Sequence, residues 1–251
     1  MPGRLQLRRR AGLMAAEMPR SKGRRVVMRV GLAALVAGVV VPVLCIVVLR
    51  FLPPPLTPFM VIRRLTTGTS WDYRWMPIAA MSPHIVRAVL AAEDTRFAQH
   101  HGFDWTEMES ALAEQRHGRR LRGASTISMQ CARTLFLWPG RGVVRKGIEA
   151  YLTVLLEALW PKSRILEVYL NTVEWGEGIY GCDAAARRDL GVSCAALDTE
   201  AAARLAAILP NPRHWSARQP GPYVRNRVAT ILERMPQVMV PTVRQSLDQK
   251  R

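Results

Sequence analysis

Twenty consecutive residues without a charge, Val30 to Leu49 (VGLAALVAGVVVPVLCIVVL), constrain this chain more than any other feature in it. A run of that length crosses a hydrocarbon core as one α-helix. Inside lipid the segment must satisfy its own backbone, so helix is the only form open to it. Pro42 predicts a kink, which membrane helices tolerate. Arg4, Arg8, Arg9, Arg10, Arg20, Lys22, Arg24, Arg25 and Arg29 precede the run, against the single acid Glu17. The positive-inside rule then places the N-terminus in the cytoplasm and the long C-terminal part across the membrane. A cleaved signal peptide is the rival reading. The apolar run is too long for one, and Arg50-Phe51-Leu52-Pro53 is a poor cleavage site.

The 251 residues are 49% hydrophobic, enough for one anchor and one domain with a core of its own. Of the net charge of +17, the nine cations and one acid of residues 1–29 supply +8, leaving +9 for the remainder. A basic domain suits nucleic acid, an anionic bilayer or a phosphate-bearing substrate. No stretch reads as a nucleic-acid module, and a membrane tether favours the other two. Of four cysteines, Cys45 lies in the apolar run, and Cys131 reads as a small buried residue. Cys182 and Cys194 are free to pair in an oxidising compartment, although their spacing does not demand it. No cluster has the spacing of metal ligands.

Residues 1–29 form a basic tail, 30–49 the membrane helix, 50–76 a linker and lead-in, 77–235 the domain and 236–251 a C-terminal tail. Pro53-Pro54-Pro55 stops any helix leaving the membrane. Trp71, Tyr73 and Trp75 suit a bilayer interface or a cap on the domain. Ser82-Pro83 predicts a capped helix start, with Ile85, Val86, Val89 and Leu90 on one face. Further helices are expected over 144–159, from a Ser163 cap to near Asn171, from a Thr199 cap to Leu209, and over 223–235. Trp175 to Gly181 reads as a glycine-rich loop. No run of alternating strands stands out, so the fold class is all-α.

Two glutamates carry the chemistry. Glu93 continues the apolar face set by Val89 and Leu90 and closes its helix, where the helix dipole disfavours a carboxylate. Both effects push its proton affinity upward, as a general base requires. The plainer reading is a core glutamate paired with an arginine such as Arg96. Glu149 follows Arg145 at i−4 and Lys146 at i−3, cations that favour its charged form. That is either an ordinary surface ion pair or a phosphate grip oriented by a carboxylate. Gly123-Ala124-Ser125-Thr126-Ile127-Ser128-Met129-Gln130 adds hydroxyl, amide and backbone donors, with Arg133 a turn beyond. Its plain reading is a capped helix start.

Taken in order, these stretches resemble the peptidoglycan glycosyltransferases of glycosyltransferase family 51, in their single-domain, membrane-anchored form. The matching residues are Glu93-Asp94-x-x-Phe97-x-x-His100-x-Gly102-x-Asp104, Gly123-Ala124-Ser125-Thr126-Ile127-Ser128-x-Gln130, Arg145-Lys146-x-x-Glu149 and Ile165-Leu166-Glu167-x-Tyr169-Leu170-Asn171. Gly176, Gly181 and Leu209-Pro210-Asn211-Pro212 follow. The resemblance implies a lysozyme-like helical fold on the outer face of the cytoplasmic (inner) membrane. There it polymerises lipid II into a β-1,4 glycan with inversion. Glu93 is then the general base on the incoming 4-hydroxyl. Glu149 assists departure of the diphosphate, and Arg145 and Lys146 neutralise its charge. Asp94, Ser125, Thr126, Gln130 and Arg133 are expected as substrate-binding residues. A divalent cation, Mg or Mn, is an expected support without assigned protein ligands. Expected partners are lipid II, the growing strand, the membrane and other cell-wall synthesis and division proteins, with no nucleic acid.

The chain departs from the family pattern where Met129, Arg133 and Thr134 stand in place of Gln, Lys and Asn. Retained activity with altered substrate contacts is expected. A lytic hydrolase is one rival, although it has no use for the Arg145-Lys146 pair. A non-catalytic scaffold is another, although it need not keep both glutamates. The distance from the first domain to Arg251 leaves no room for a transpeptidase domain.

Overall fold

The apolar run forms a helix, as its composition dictates. In the computed structural model, which describes residues 20–116, 125–140 and 142–241, α1 (Arg20–Leu35) passes through one π-helical turn (Val36–Val40) into α2 (Val41–Leu49). Val41 N–H donates to Val36 O across the wide turn. It immediately precedes Pro42, whose missing N–H and ring bulk an unbroken α-helix cannot take. The predicted kink position is therefore a local widening. Residues 25–49 make one helix long and apolar enough to cross a membrane. Most of the basic tail, Gly123 and Ala124, and residues 242–251 lie outside the described residues.

The chain divides into two compact units, Met1–Cys45 and Ile46–Arg251. In chain order the second continues through α3 (Pro58–Thr67), β1 (Asp72–Tyr73), α4 (Pro83–Glu93), α5 (Trp105–Arg116), α6 (Ile127–Phe136), α7 (Val143–Leu159) and α8 (Lys162–Thr172). Then come β2 (Glu174–Gly176), β3 (Ile179–Tyr180), α9 (Cys182–Leu190), α10 (Thr199–Ile208) and α11 (Pro222–Arg234). The helical class holds, with a small sheet added. The expected loop after Glu174 is instead a hairpin, β2 antiparallel to β3, with β1 parallel to β3 on its other side. Strands of two or three residues are too short to show alternation in a sequence. Gly178 and Gly181 adopt positive φ. Added Cβ atoms there would lie 2.3 Å from Ser70 O and 2.5 Å from Arg74 O.

Residues 50–76 are more than a lead-in. Thr57 caps α3 by accepting from Met60 N–H, Tyr73 O–H donates to Pro54 O, and β1 belongs to the sheet. The end of α2 is held by the domain: Trp160 Nε1 donates to Ile46 O at 2.7 Å, and Arg164 Nη2 to Leu49 O at 2.8 Å and Leu52 O at 2.7 Å. These side chains fill carbonyls that a helix C-terminus leaves open.

Two helix groups make the core. In one, α10 packs on both α4 and α11. Its buried face is Ala202, Ala203, Leu205, Ala206, Ala207 and Ile208, mostly small side chains that let the neighbours close in. In the other, α6 packs on α7 and α8. Ser82 Oγ accepts from His84 N–H at the start of α4, as expected. Two expected caps move. Asp198, not Thr199, accepts from Ala201 N–H, and α8 starts after Pro161 with no side-chain cap from Ser163. Cys182 and Cys194 are joined in a disulfide, Cα–Cα 5.8 Å, and Cys131 is buried as expected.

Candidate active site

Glu93 is the last residue of α4 and Gln130 lies on α6, so their contact bridges the two helix groups. Gln130 Nε2 donates to Glu93 Oε2 at 3.1 Å and to Ser125 O at 3.3 Å. Ser125 Oγ accepts from Lys146 Nζ at 3.2 Å, and Lys146 Nζ donates to Glu149 Oε1 at 2.5 Å. One hydrogen-bonded run therefore links the two glutamates through Gln130, Ser125 and Lys146. Groups far apart in sequence fall in a single site.

The settings of the two carboxylates differ, but not wholly as expected. Burial pushes the Glu93 carboxyl above its ordinary value of 4.5. The Gln130 hydrogen bond, Arg227 and Arg133 pull it back in part, and Asp94 adds to the rise. Arg96 is not its partner, since it reaches Asp104 and Gln99 instead. Arg227 Nη2 lies 3.8 Å from Glu93 Oε1. Sequence reasoning missed Arg227, because α11 carries no local mark of its approach to α4.

Glu149 is not at the surface. Its side chain is 0% exposed, and its oxygens accept from Arg145 Nη1 at 2.9 Å and from Lys146. With its carboxylate enclosed by these cations, Glu149 is placed to hold them, so that its expected help to a departing diphosphate would act through Arg145 and Lys146. It aims two cations. Lys146 keeps 45% of its side chain exposed beside it. Arg145 Nε carries a buried N–H with no acceptor among the described residues. The accessible ammonium of Lys146, with the mostly buried Arg145 guanidinium adding positive charge behind it, suits an oxyanion.

Two residues expected at the substrate, Asp94 and Thr126, are engaged within the fold. Asp94 Oδ2 accepts from Ile127 N–H at 2.9 Å, and both its oxygens face His100 Nε2 at 3.0 and 3.1 Å. Thr126 Oγ1 accepts from Met129 N–H and donates to Gly102 O at 2.6 Å. Both residues are buried and spend their polar atoms fastening the start of α6. Of the departures from the family pattern, Met129 is buried, and Thr134 is buried and shares a hydrogen bond with Thr172. Arg133 alone acts on the site, through the charge of Glu93. Below these residues Ser128 bonds to Glu157, Lys162 Nζ pairs with Glu157 at 2.7 Å, and the same ammonium lies 4.3 Å from the Phe97 ring centre. That buried knot fixes α6, α7 and α8 to the loop that follows Glu93.

Asp94, His100 and Asp104 come close enough to share a metal ion. They do not fit one. Asp94 is already an acceptor for His100 and for the α6 backbone, and Asp104 Oδ1 accepts from Arg96 and from Glu107 N–H. The expected divalent cation has no protein-held site in this group. A separate cleft of about 230 Å³, bounded by Trp175, Arg188, Asp189, Arg213 and Trp215, contains none of the predicted residues. The hydrogen-bonded run marks the chemistry better than that hollow does, because it gathers Glu93, Gln130, Ser125, Lys146 and Glu149, the residues of the sequence pattern, in one place.

A helical domain in which a desolvated carboxylate is linked to paired cations has the groups that acid/base chemistry on an anionic substrate needs. The sequence pattern of the family described as Transglycosylase matches residues 60–236. A biosynthetic peptidoglycan transglycosylase of Rhodospirillum centenum is 52% identical over 205 residues, which cover 81% of this chain and 89% of that protein. Proteins of the same name from Caulobacter vibrioides and Stutzerimonas stutzeri are 49% and 48% identical, over 83% and 78% of this chain and 90% and 83% of their own lengths. The chain belongs to the transglycosylase family.

Proposed function

We propose that this protein is a peptidoglycan glycosyltransferase that polymerises lipid II into a β-1,4 glycan with inversion and release of undecaprenyl diphosphate. The observation that carries the reading is the run Glu93–Gln130–Ser125–Lys146–Glu149, which sets a base and a cation pair in one site. The 4-hydroxyl of the incoming sugar attacks the anomeric carbon of the growing strand, and its proton passes to Glu93. The bond from that carbon to the diphosphate breaks, and the electron pair leaves with the diphosphate. Lys146 and Arg145 meet the charge that develops there, while Arg133 lies on the side of the base, its charge acting on Glu93. Glu149 holds Arg145 and Lys146 on target. An inverting displacement needs this division between an attacking and a leaving side. The name shared by the relatives agrees with it.

The apolar helix serves as a single-pass anchor, with the N-terminus in the cytoplasm and the domain on the outer face of the cytoplasmic membrane. The cations that precede it and the Cys182–Cys194 disulfide, which suits an oxidising compartment, support this placement. Thiol labelling and protease access in intact cells test it.

Full-length protein in detergent with labelled lipid II tests the reaction. Polymer that a muramidase reduces to disaccharide units is the expected product. Release of fragments from isolated sacculi, with lipid II untouched, would instead mark a hydrolase.

A further inference from the structure

We propose that Tyr169 is a positioning residue for this reaction: its buried hydroxyl holds the Gln130 side chain in the orientation that turns an N–H toward Glu93. The proposal rests on the reading of Glu93 as base. Tyr169 lies on α8 with no exposed surface, and its O–H donates to Gln130 Oε1 at 3.2 Å. A primary amide has one acceptor end and one end with two donors. Here the donor end meets two acceptors, Glu93 Oε2 and Ser125 O, and the acceptor end meets the tyrosine hydroxyl. Both N–H donors of Gln130 are thereby used, and its oxygen takes one hydrogen bond. A flipped amide would turn its oxygen on a carboxylate and a carbonyl.

Burial and the nearby Glu93 charge raise the Tyr169 phenol well above its ordinary value, so it remains a donor at working pH. Arg227 on α11, Arg133 on α6 and Asp94 beside α4 act on Glu93 through charge. Tyr169 reaches it through Gln130. Without the hydroxyl, the carbonyl end of the amide is a buried acceptor lacking its donor, and the side chain swings to regain one. Glu93 then loses part of a hydrogen bond that favours its charged form, and its proton affinity rises.

A double-mutant cycle in the full-length protein tests this, with Tyr169→Phe, Gln130→Ala and the double variant assayed on lipid II across pH. Tyr169→Phe is expected to lower kcat about tenfold, the equivalent of one ordinary hydrogen bond. KM should hold while the acid limb of the rate profile moves to higher pH. In the Gln130→Ala background the same change should cost nothing further. An unchanged kcat and profile, or an equal loss in both backgrounds, would reduce Tyr169 to packing. Should Tyr169→Phe melt below the assay temperature, 3-fluorotyrosine at position 169 replaces it. As a stronger donor it must move the acid limb to lower pH, and a limb that stays put overturns the proposal. Glu93→Gln separates the two readings. If it polymerises, the base assignment falls and this proposal with it. If it is inert while Tyr169→Phe behaves as wild type, only the positioning role falls.

Discussion

Glu93 shows how a single residue trades stability for chemistry. Burial raises its proton affinity above the ordinary 4.5, so the folded chain binds that proton more tightly than the unfolded one. The stability tied to this group is full below the ordinary value and declines as pH rises through it toward the raised one. Glu93→Gln removes that penalty. It should melt at or above the wild-type temperature at neutral pH, yet lose about 10²- to 10⁴-fold in polymerisation rate, the usual worth of a general base. Calorimetry and a lipid II gel on the same preparation check both halves, and normal chain growth would reject the base role. Glu149 behaves oppositely. Breaking a buried ion pair typically costs about 3–5 kcal/mol, because the remaining charge stays buried and uncompensated. Glu149→Gln leaves Arg145 in that position and should depress both the melting temperature and turnover. A variant that melts normally would argue against a buried pair. The sequence already marked Glu93, since the spacing from Val89 and Leu90 puts it on an apolar face. It left Glu149 open between surface pair and phosphate grip, because i−3 and i−4 cations occur in both.

At the scale of elements, helix starts and stops follow short-range signals in the chain, whereas the partners of each helix do not. Ser82-Pro83 opened α4 as expected, and the apolar stripe of α7 ended at Leu159. Thr199 and Asp198 are both good caps in sequence, and only the backbone geometry at the start of α10 chose between them. Cys182 and Cys194 carried no pairing signal until α9 and the turn Cys194–Ala196 packed together. With a separation of 12 residues, the crosslink should stabilise the fold by about 3 kcal/mol on the loop-entropy view. Cys194→Ser, or reduction of the wild type, should lower the urea midpoint correspondingly, with the m-value nearly unchanged. An identical midpoint in reducing and oxidising buffer would mean that the bridge contributes nothing.

For the molecule as a whole, the end of the apolar helix is part of the catalytic domain. Ile46, Leu49 and Leu52 offer carbonyls to Trp160 and Arg164. A truncation starting at residue 46 should therefore outlast one starting at residue 53. With Arg164 Nε also on Leu49 O and Arg50 on Leu159 O, five lost hydrogen bonds at about 1 kcal/mol each predict a drop of roughly ten degrees or more in melting temperature. Equal melting of the two would show that these contacts carry no weight. By itself, the sequence determined what is written within a turn or two of chain: the long apolar helix, the succession of helices, the apolar setting of Glu93 and the cations beside Glu149. Only the tertiary structure decided which groups meet across long stretches of chain. It brought Arg227 to Glu93, enclosed Glu149, gave Asp94 and Thr126 to the start of α6, and seated Tyr169 behind Gln130. Periodicity and capping are local properties of a backbone, whereas the choice of partner depends on how helices distant in sequence pack.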